Sequence, residues 1–346
     1  MAAPQTYKAY RRSKGGIPKT LQLTTEELPL TLDANQVLIK IHAVSLNYRD
    51  VAMLHGTYPV DYLDEGIPVS DCAAEVISVG SEVHVFKVGD HVTPIFDLNN
   101  FTGTEDDRDC LGGEAEGVLR EYAVFHQNVL LHVPEYLSWE EAACLACAGV
   151  TAWTALDMPR SKGTALLQGT GGVSMFALLI CLAAGIRPIV TSSSDEKLEV
   201  AKSFGSLSSI DTINYRTHPE WDEEVLRLTN GRGVDVVIEN GGPNTATKSL
   251  ASIARRGVVS LVGFLGGLSA STQPDLFLPA LRKSATIRGI SVGSKVDEKN
   301  LCDFLSEKEI SLKGILDQKV FSFEESQDAF DYLYSGKHFG KVIIKL

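Results

Sequence analysis

The chain has 346 residues, of which 44% are hydrophobic and 22% charged, an ordinary composition for a soluble globular protein that is long enough for two domains. Its formal net charge of −12 argues against nucleic acid or an anionic membrane as a partner, but not against a small anionic cofactor. Residues 1–19 lack the apolar core of a signal peptide, and no apolar run approaches the roughly 18 residues of a membrane span, so we expect a cytoplasmic protein.

The first third of the chain has the pattern of a β domain. Residues 36–44 and 74–79 alternate apolar and polar side chains, as half-buried strands do, and glycines such as Gly80 separate such segments. We therefore predict a compact, barrel-like domain over residues 1–125.

Strands and helices alternate in the middle of the chain. Six apolar strands are predicted there, with helices between them: residues 164–168, 186–194, 210–214, 234–238, 258–262 and 286–290. This order predicts a doubly wound parallel α/β sheet, and we assign residues 126–292 to it. The last helix and strand are too short to stand alone, so residues 293–346 are expected to pack back on the first domain.

A glycine-rich turn follows the first of these six strands. Residues 169–174 read Gly-Thr-Gly-Gly-Val-Ser and lead into a helix, an order that presents backbone N–H groups to a pyrophosphate. The third position of the dinucleotide fingerprint G-x-G-x-x-G is here a serine, so a structural turn in another α/β protein is the alternative. In a dinucleotide site, five residues would face the pyrophosphate: Thr170, Gly171, Gly172, Val173 and Ser174.

The end of the second strand bears on the choice of cofactor. An NAD site has an acidic residue there that binds the ribose hydroxyls, whereas this strand runs into Ser192, Ser193 and Ser194. These hydroxyls and Lys197 can bind a 2′-phosphate, which favours NADP(H). Asp195 lies near the spacing of an NAD carboxylate, but Ser194 has the character of an N-cap, and Asp195 is then explained by the first turn of the next helix.

Six cysteines lie mostly in apolar surroundings, which is typical of free thiols in a reducing compartment. Cys144 and Cys147 form a C-x-x-C pair. No second pair and no histidine cluster stands near it in the sequence, and the flanking residues have a helical pattern. Packing is therefore the favoured interpretation of the pair, with redox chemistry or metal binding as the alternative.

Five motifs, in order along nearly the whole chain, resemble the medium-chain dehydrogenase/reductase superfamily: residues 45–50 (SLNYRD), 70–80 (SDCAAEVISVG), 86–92 (FKVGDHV), 148–153 (AGVTAW) and 340–343 (GKVI). The resemblance implies a GroES-like β-barrel catalytic domain and a Rossmann nucleotide-binding domain. Zinc-dependent members bind a catalytic metal through Cys, His and Cys. The corresponding positions here look to be Asn47, Ser70 and Ala148, which are poor substitutes for thiolate and imidazole. The chain is thus similar to the zinc-independent branch, which includes quinone oxidoreductases, zeta-crystallin and enoyl reductases, and we expect no bound metal.

The resemblance also implies hydride transfer between a nicotinamide and an electron-poor carbon of a small-molecule substrate. Without a metal, hydrogen-bond donors must stabilise the charge that develops on a carbonyl oxygen, which suits conjugate reduction of an enone, enal or enoyl group, or reduction of a quinone. Tyr58 resembles the proton-donating tyrosine of enoyl reductases, and Asn47 is expected to orient the carbonyl. Alternatively, Tyr58 only lines the cleft and water supplies the proton. Arg49 and Asp50 are expected to form a structural ion pair or cap.

The remaining matches to the family are single residues. Tyr215 resembles the position that flanks the 2′-phosphate. Five residues resemble positions near the nicotinamide ribose or ring: Thr151, Asn240, Gly263, Phe264 and Val292. Family analogy further implies a homodimer in which residues 286–292 pair across a two-fold axis.

Three functions remain open at this level. The favoured one is an NADPH-dependent, zinc-independent reductase of activated double bonds or quinones. The second is a metal-free alcohol or carbonyl dehydrogenase, or a biosynthetic reductase of the same family. The third is a protein that binds NADPH without turnover, as lens crystallins do.

Overall fold

The computed structural model describes residues 4–205, 209–269 and 274–346. The chain divides into two compact units. The first is Met1–Val150 together with Gly293–Leu346, and the second is Thr151–Val292.

Both units contain strands and helices. The strands are β1 (Thr6–Arg12), β2 (Leu21–Glu27), β3 (Gln36–Ser45), β4 (Asp71–Val79), β5 (His91–Pro94), β6 (Tyr122–His126), β7 (Leu130–His132), β8 (Thr164–Gln168), β9 (Arg187–Ser192), β10 (Asp211–Asn214), β11 (Val234–Glu239), β12 (Ile253–Leu261), β13 (Thr286–Gly289), β14 (Leu316–Ser322) and β15 (Lys341–Lys345). The helices are α1 (Tyr48–Leu54), α2 (Trp139–Ala142), α3 (Val150–Ala155), α4 (Gly172–Ala184), α5 (Asp195–Lys202), α6 (Trp221–Leu228), α7 (Pro243–Ser252), α8 (Phe277–Lys283), α9 (Lys295–Lys308) and α10 (Ser326–Tyr334), with a π-helix at Leu145–Gly149.

The first unit is built on a seven-stranded sheet in the order β14-β15-β3-β4-β5-β7, with β6 paired to β3, while β1 and β2 form a separate pair. Val37, Ile39 and Ile41 of β3 are buried with Val76 of β4 in one apolar core, to which Phe321 of β14 also belongs. β14 and β15 of the C-terminal segment pair within this sheet, and that segment belongs to the first unit.

The predicted start of the second domain, residue 126, differs from the division in the structure. Residues 126–150 belong to the first unit. The reason is packing, because β7 pairs with β5, and α2 and the π-helix contact β4.

The second unit contains the predicted doubly wound sheet. Its six strands are parallel and lie in the order β10-β9-β8-β11-β12-β13, which is the order 3-2-1-4-5-6 of a dinucleotide-binding fold. Leu166, Ile189 and Val237 are fully buried in its core. The strand order reverses between β8 and β11, and ligands of such sheets bind at the carboxyl ends of the strands next to this point.

The largest difference between predicted and observed strand bounds in this unit is at β12. It starts at Ile253, directly after α7 ends at Ser252, whereas the predicted strand covers residues 258–262. Apolar residues such as Ile253 suit either element, and its pairing with Val234 of β11 decides the outcome. Within the described residues, no helix is long and apolar enough to cross a membrane.

Candidate functional site

The glycine-rich turn joins β8 to α4 in the second unit. Gly169 has a φ of +83°, a left-handed conformation that favours glycine, and a side chain added at Gly169 or Gly171 would meet no atom within 4 Å. No side chain caps the start of α4 at Gly172. The backbone N–H groups of Gly172 and Val173 can therefore serve an anion, and the turn fits a pyrophosphate.

Ser174 occupies the third glycine position of the fingerprint and is fully buried. Its hydroxyl donates to the carbonyl of Gln168 at 2.7 Å and accepts from Nδ2 of Asn240 at 3.1 Å. These bonds tie α4 to the ends of β8 and β11, which explains why serine is tolerated at this position. The Ser174 hydroxyl and the Asn240 amide nitrogen are used within the fold. A phosphate can therefore bind the backbone N–H of Ser174 but not its hydroxyl, and a ligand can bind the amide oxygen of Asn240.

The carboxylate of Glu239 organises this edge of the sheet. Five donors surround it: the backbone N–H groups of Gly241 and Gly242 at 2.7 and 2.9 Å, Thr245 Oγ1 at 2.5 Å, Gln168 Nε2 at 2.8 Å and the Ser249 hydroxyl. Glu239 is 0% exposed. This residue was not predicted from the sequence, although an acidic residue at the end of an apolar strand, two positions before a pair of glycines, was an available signal.

Ser192, Ser193 and Tyr215 lie together at the carboxyl ends of β9 and β10. Ser192 is paired with Asn214 in the sheet, and the Tyr215 N–H donates to the Ser192 carbonyl at 3.1 Å. Tyr215 is 42% exposed, so its ring is accessible to a ligand. The structure thus brings three of the residues predicted for the adenosine end into one place.

Ser194 is the N-cap of α5, as predicted. Its hydroxyl accepts from the Lys197 N–H at 3.3 Å, which places Lys197 in the first turn of the helix, beside the serines. Asp195 is also in this turn, and its carboxylate accepts from Asn214 Nδ2 at 2.7 Å. Asp195 is therefore engaged with the end of β10.

The residues predicted to lie near the nicotinamide form two small groups in the second unit. The first group contains Thr151 and Val292. The Thr154 hydroxyl donates to the Val292 carbonyl at 2.5 Å and lies 3.2 Å from the Thr151 carbonyl, so the predicted residues Thr151 and Val292 share one neighbour. Val292 has a φ of +58°, which is rare for a β-branched residue.

Gly263 and Phe264 follow β12 and lie against the loop after β11. A side chain added at Gly263 would be 3.2 Å from the Asn240 carbonyl, and one at Gly242 would be 3.0 Å from the Phe264 Cα atom. Asn240, Gly263 and Phe264 therefore lie close together, and this close approach favours glycine at positions 242 and 263.

The first unit contains a closed ring of four polar side chains, which we call the Asn47 ring. Lys341 Nζ donates to Asn47 Oδ1 at 2.6 Å and lies 3.7 Å from Asp71 Oδ2. The Ser70 hydroxyl donates to Asp71 Oδ1 at 2.6 Å, and Asn47 Nδ2 reaches Ser70 Oγ at 3.5 Å. Ser70, Asp71 and Lys341 are buried, whereas Asn47 is partly exposed.

Tyr58 lies in the same unit, close enough to the Arg49 guanidinium for its charge to influence the phenol. Burial raises the pKa of Tyr58, and the Arg49 guanidinium partly offsets that effect. The Arg49 side chain donates to the Leu111 carbonyl at 2.7 Å and lies over the Phe96 ring. Arg49 is thus held in place by the fold, in agreement with its predicted structural role.

Asp50 caps α1. Its Oδ2 atom accepts from the Asn47 backbone N–H at 2.7 Å. Burial raises the pKa of Asp50 to about 6, against the opposing charge of Arg49. This bond fixes the backbone at Asn47, whose side chain completes the capping box of α1 in addition to its place in the ring.

The residue beside the ring in the C-x-x-C segment is Cys147, not Ala148 as the sequence comparison suggested. The Cys147 N–H donates to Asp71 Oδ2 at 3.3 Å, whereas Ala148 is buried at 1% exposure. A π-helix spans this segment and is closed by a bond of 3.2 Å from Gly149 N to the Cys144 carbonyl. Burial raises the pKa of the Cys147 thiol.

All six cysteines are free thiols, and Cys144 is buried. In the part of the chain that the structure describes, no group of three or more His, Cys, Asp or Glu side chains is arranged to hold a metal ion.

Two family models match the chain. The model for the zinc-binding dehydrogenase matches residues 172–307, and the model for the alcohol dehydrogenase GroES-like domain matches residues 33–135.

Curated relatives and solved structures match nearly the full length. A zinc-type alcohol dehydrogenase-like protein of Schizosaccharomyces pombe is 40% identical over 331 residues, which cover 92% of this chain and 93% of that protein. A quinone oxidoreductase of Pseudomonas aeruginosa is 29% identical, covering 90% of this chain and 89% of that protein. The crystal structure of a candidate alcohol dehydrogenase from Sinorhizobium meliloti superposes with a TM-score of 0.89 at 32% identity and covers 100% of both chains.

Proposed function

Because the chain belongs to the medium-chain dehydrogenase/reductase superfamily of oxidoreductases, we propose that it is a zinc-independent, NADPH-dependent reductase of activated carbon–carbon double bonds or quinones. The observation that carries the proposal is the Asn47 ring, in which an ammonium group bonds to an amide at a position that resembles a zinc-ligand position of the family. The similarity to a quinone oxidoreductase supports the same substrate class.

The side chains of the Asn47 ring and Cys147 do not fit a catalytic zinc ion. Zinc is bound by thiolate, imidazole or carboxylate, whereas Asn47 and Ser70 offer an amide and a hydroxyl, which leaves Cys147 as the one sulfur ligand beside the ring. The Asp71 carboxylate is already engaged with Ser70, Cys147 and Lys341. A divalent cation would also be repelled by the Lys341 ammonium. The proposed reaction therefore uses no metal ion.

The chemistry then rests on hydrogen-bond donors. When bound, the reduced nicotinamide supplies a hydride to the electron-poor carbon of the substrate. Negative charge develops on the conjugated carbonyl oxygen, and the Asn47 amide N–H can stabilise it. Tyr58 keeps its proton at neutral pH, as an ordinary phenol does, and burial raises its pKa further, so it can donate that proton to the product.

The residues at the ends of β9 and β10 support NADPH over NADH. Ser192, Ser193 and Tyr215 lie together, and Lys197 in the first turn of α5 brings a positive charge for a 2′-phosphate. The Asp195 carboxylate, which would favour NAD, is bonded to Asn214.

The proposal is tested by mixing the protein, dialysed against a metal chelator, with NADPH or NADH and a panel of enones, quinones, aldehydes and alcohols. The loss of reduced-nicotinamide absorbance is followed for the carbonyl substrates, and its gain for the alcohols. We expect turnover of enones or quinones in the chelated protein, with kcat/KM for NADPH at least about 10-fold above that for NADH, since one charged contact to the 2′-phosphate contributes about that factor.

Other results would favour the other functions. Tighter binding of NADH than of NADPH would contradict the argument from the serines and Lys197. Turnover restricted to aldehydes and alcohols would indicate a carbonyl dehydrogenase, and activity restored only by added zinc would refute the metal-free chemistry. Binding of NADPH without turnover of any substrate would indicate a crystallin-like binding protein.

Replacing Tyr58 with phenylalanine removes the proposed proton donor with little change in shape. We expect kcat for a good enone to fall at least about 10-fold, less than the usual contribution of a general acid, because water can partly replace the phenol. Tyr334→Phe is the matched control, since Tyr334 is in the same unit, is 51% exposed and stacks on His55. Undiminished turnover in Tyr58→Phe would show that Tyr58 only lines the site.

A further inference from the structure

We infer that Lys341 is a positioning residue: by fixing the direction of the Asn47 side-chain amide, it makes the site selective for substrates that present a hydrogen-bond acceptor. The inference rests on the proposed function, in which Asn47 is the donor to the substrate carbonyl.

The direction of the amide follows from the chemistry of the ring. An ammonium group can only donate hydrogen bonds, so the Asn47 atom at 2.6 Å from Lys341 Nζ must be the oxygen. A carboxylate can only accept, so the Ser70 hydroxyl donates to Asp71, and its oxygen is left to accept from Asn47 Nδ2. The bond at the amide oxygen and the bond at the amide nitrogen therefore impose the same orientation on the Asn47 side chain.

This orientation decides what the partly exposed Asn47 offers to a ligand. One N–H of its amide is directed to Ser70, and the second N–H is not used by the ring. The amide thus presents a donor, which suits the carbonyl oxygen of an enone or a quinone. The hydroxyl of an alcohol must lose its proton in an oxidation, and a fixed amide donor gives no acceptor for that proton.

Lys341 is itself held by three groups. It donates to Asn47 and to the Leu46 carbonyl at 2.9 Å, and it lies 3.7 Å from the Asp71 carboxylate, with only 2% of its surface exposed. A buried positive charge on the amide oxygen also polarises the amide and strengthens its N–H as a donor, because the local dielectric constant is low. The positive charge thus acts on the substrate through Asn47.

The test is a double-mutant cycle between Lys341→Met and Asn47→Ala, with an enone as substrate and saturating NADPH. We expect Lys341→Met to lower kcat by about 10-fold with a smaller change in KM, because the amide can then rotate and present its oxygen. In the Asn47→Ala background, the same substitution is expected to cause no further loss. Lys345→Met is the matched control, since Lys345 is on the same strand and 58% exposed, and it is expected to behave as wild type.

Each result bears on the inference. An equal loss from Lys341→Met in both backgrounds would show a general structural effect and overturn it, as would a wild-type kcat in the single variant. If Lys341→Met does not fold, because it leaves Asp71 buried without its cation, Asp71→Asn/Lys341→Met removes both charges, and the same loss of kcat is expected.

A failure of the proposed function is distinguishable from a failure of this inference. If the wild-type protein reduces no enone or quinone, the proposed function fails and the substrate selectivity fails with it. The amide direction is then decided by the unfolding midpoints in urea of the same four proteins. If the shift in midpoint caused by Lys341→Met is smaller in the Asn47→Ala background, the bond between the two side chains is supported. If the two shifts simply add, the inference is overturned.

Discussion

Asn47→Ala is expected to lower kcat/KM for an enone or a quinone by about 10²–10³-fold, the usual effect of removing one donor to a developing oxyanion. The substitution removes the amide that Lys341 and Ser70 hold in place. It keeps the backbone N–H that donates to Asp50 at 2.7 Å, so this half of the capping box of α1 is retained, while the half made by the Asn47 side chain is lost. Steady-state kinetics with NADPH measure the effect, and NADPH binding is expected to be unchanged because its turn lies in the second unit.

Asn300→Ala is the matched control for this substitution. Asn300 is exposed on α9 in the same unit, and alanine is a favourable residue in a helix. We expect wild-type kinetics from it. A kcat/KM of Asn47→Ala within about twofold of wild type would remove Asn47 from the mechanism, because a donor lost from a developing oxyanion costs far more than that.

Glu239→Gln is expected to lower the free energy of unfolding by about 3 kcal/mol. Each oxygen of this carboxylate accepts at least two hydrogen bonds, from Gly241, Gly242 and Thr245 at Oε1 and from Gln168 and Ser249 at Oε2. A glutamine in either orientation points its NH₂ group at donors. Because the site is fully buried, water cannot relieve that conflict.

Urea unfolding followed by circular dichroism measures the effect of Glu239→Gln. Glu223→Gln is the matched control, because Glu223 is exposed on α6 in the same unit, and we expect it to change the free energy of unfolding by only a few tenths of a kcal/mol. An equal midpoint for Glu239→Gln and wild type would mean that the loop after β11 does not depend on this carboxylate.

The expected homodimer and the cytoplasmic location stay predictions. The strand proposed for the dimer contact, β13, lies at the edge of the six-stranded sheet, and Phe277 and Leu281 of the neighbouring helix α8 are 80% and 65% exposed.

The architecture of the second unit could be predicted almost completely from the sequence. Its strands are apolar runs, and some helix ends carry local signals, such as Gly185 at the end of α4. The N-cap at Ser194 and the glycine turn before α4 are such local features. The fold class and the family followed from these patterns and from motifs in their order along the chain.

Only the tertiary structure decided the direction of the hydrogen bonds in the candidate site. Lys341 reaches Asn47 across 294 positions of sequence, and Glu239 reaches Gln168 across 71. The sequence could suggest Asn47 as a donor but not that a buried ammonium orients it. It also suggested Ala148 in place of Cys147, whose N–H bonds to the carboxylate of Asp71, 76 positions away in the sequence. Local patterns record which residues are buried, whereas the direction of a polar group depends on charges that distant segments bring beside it.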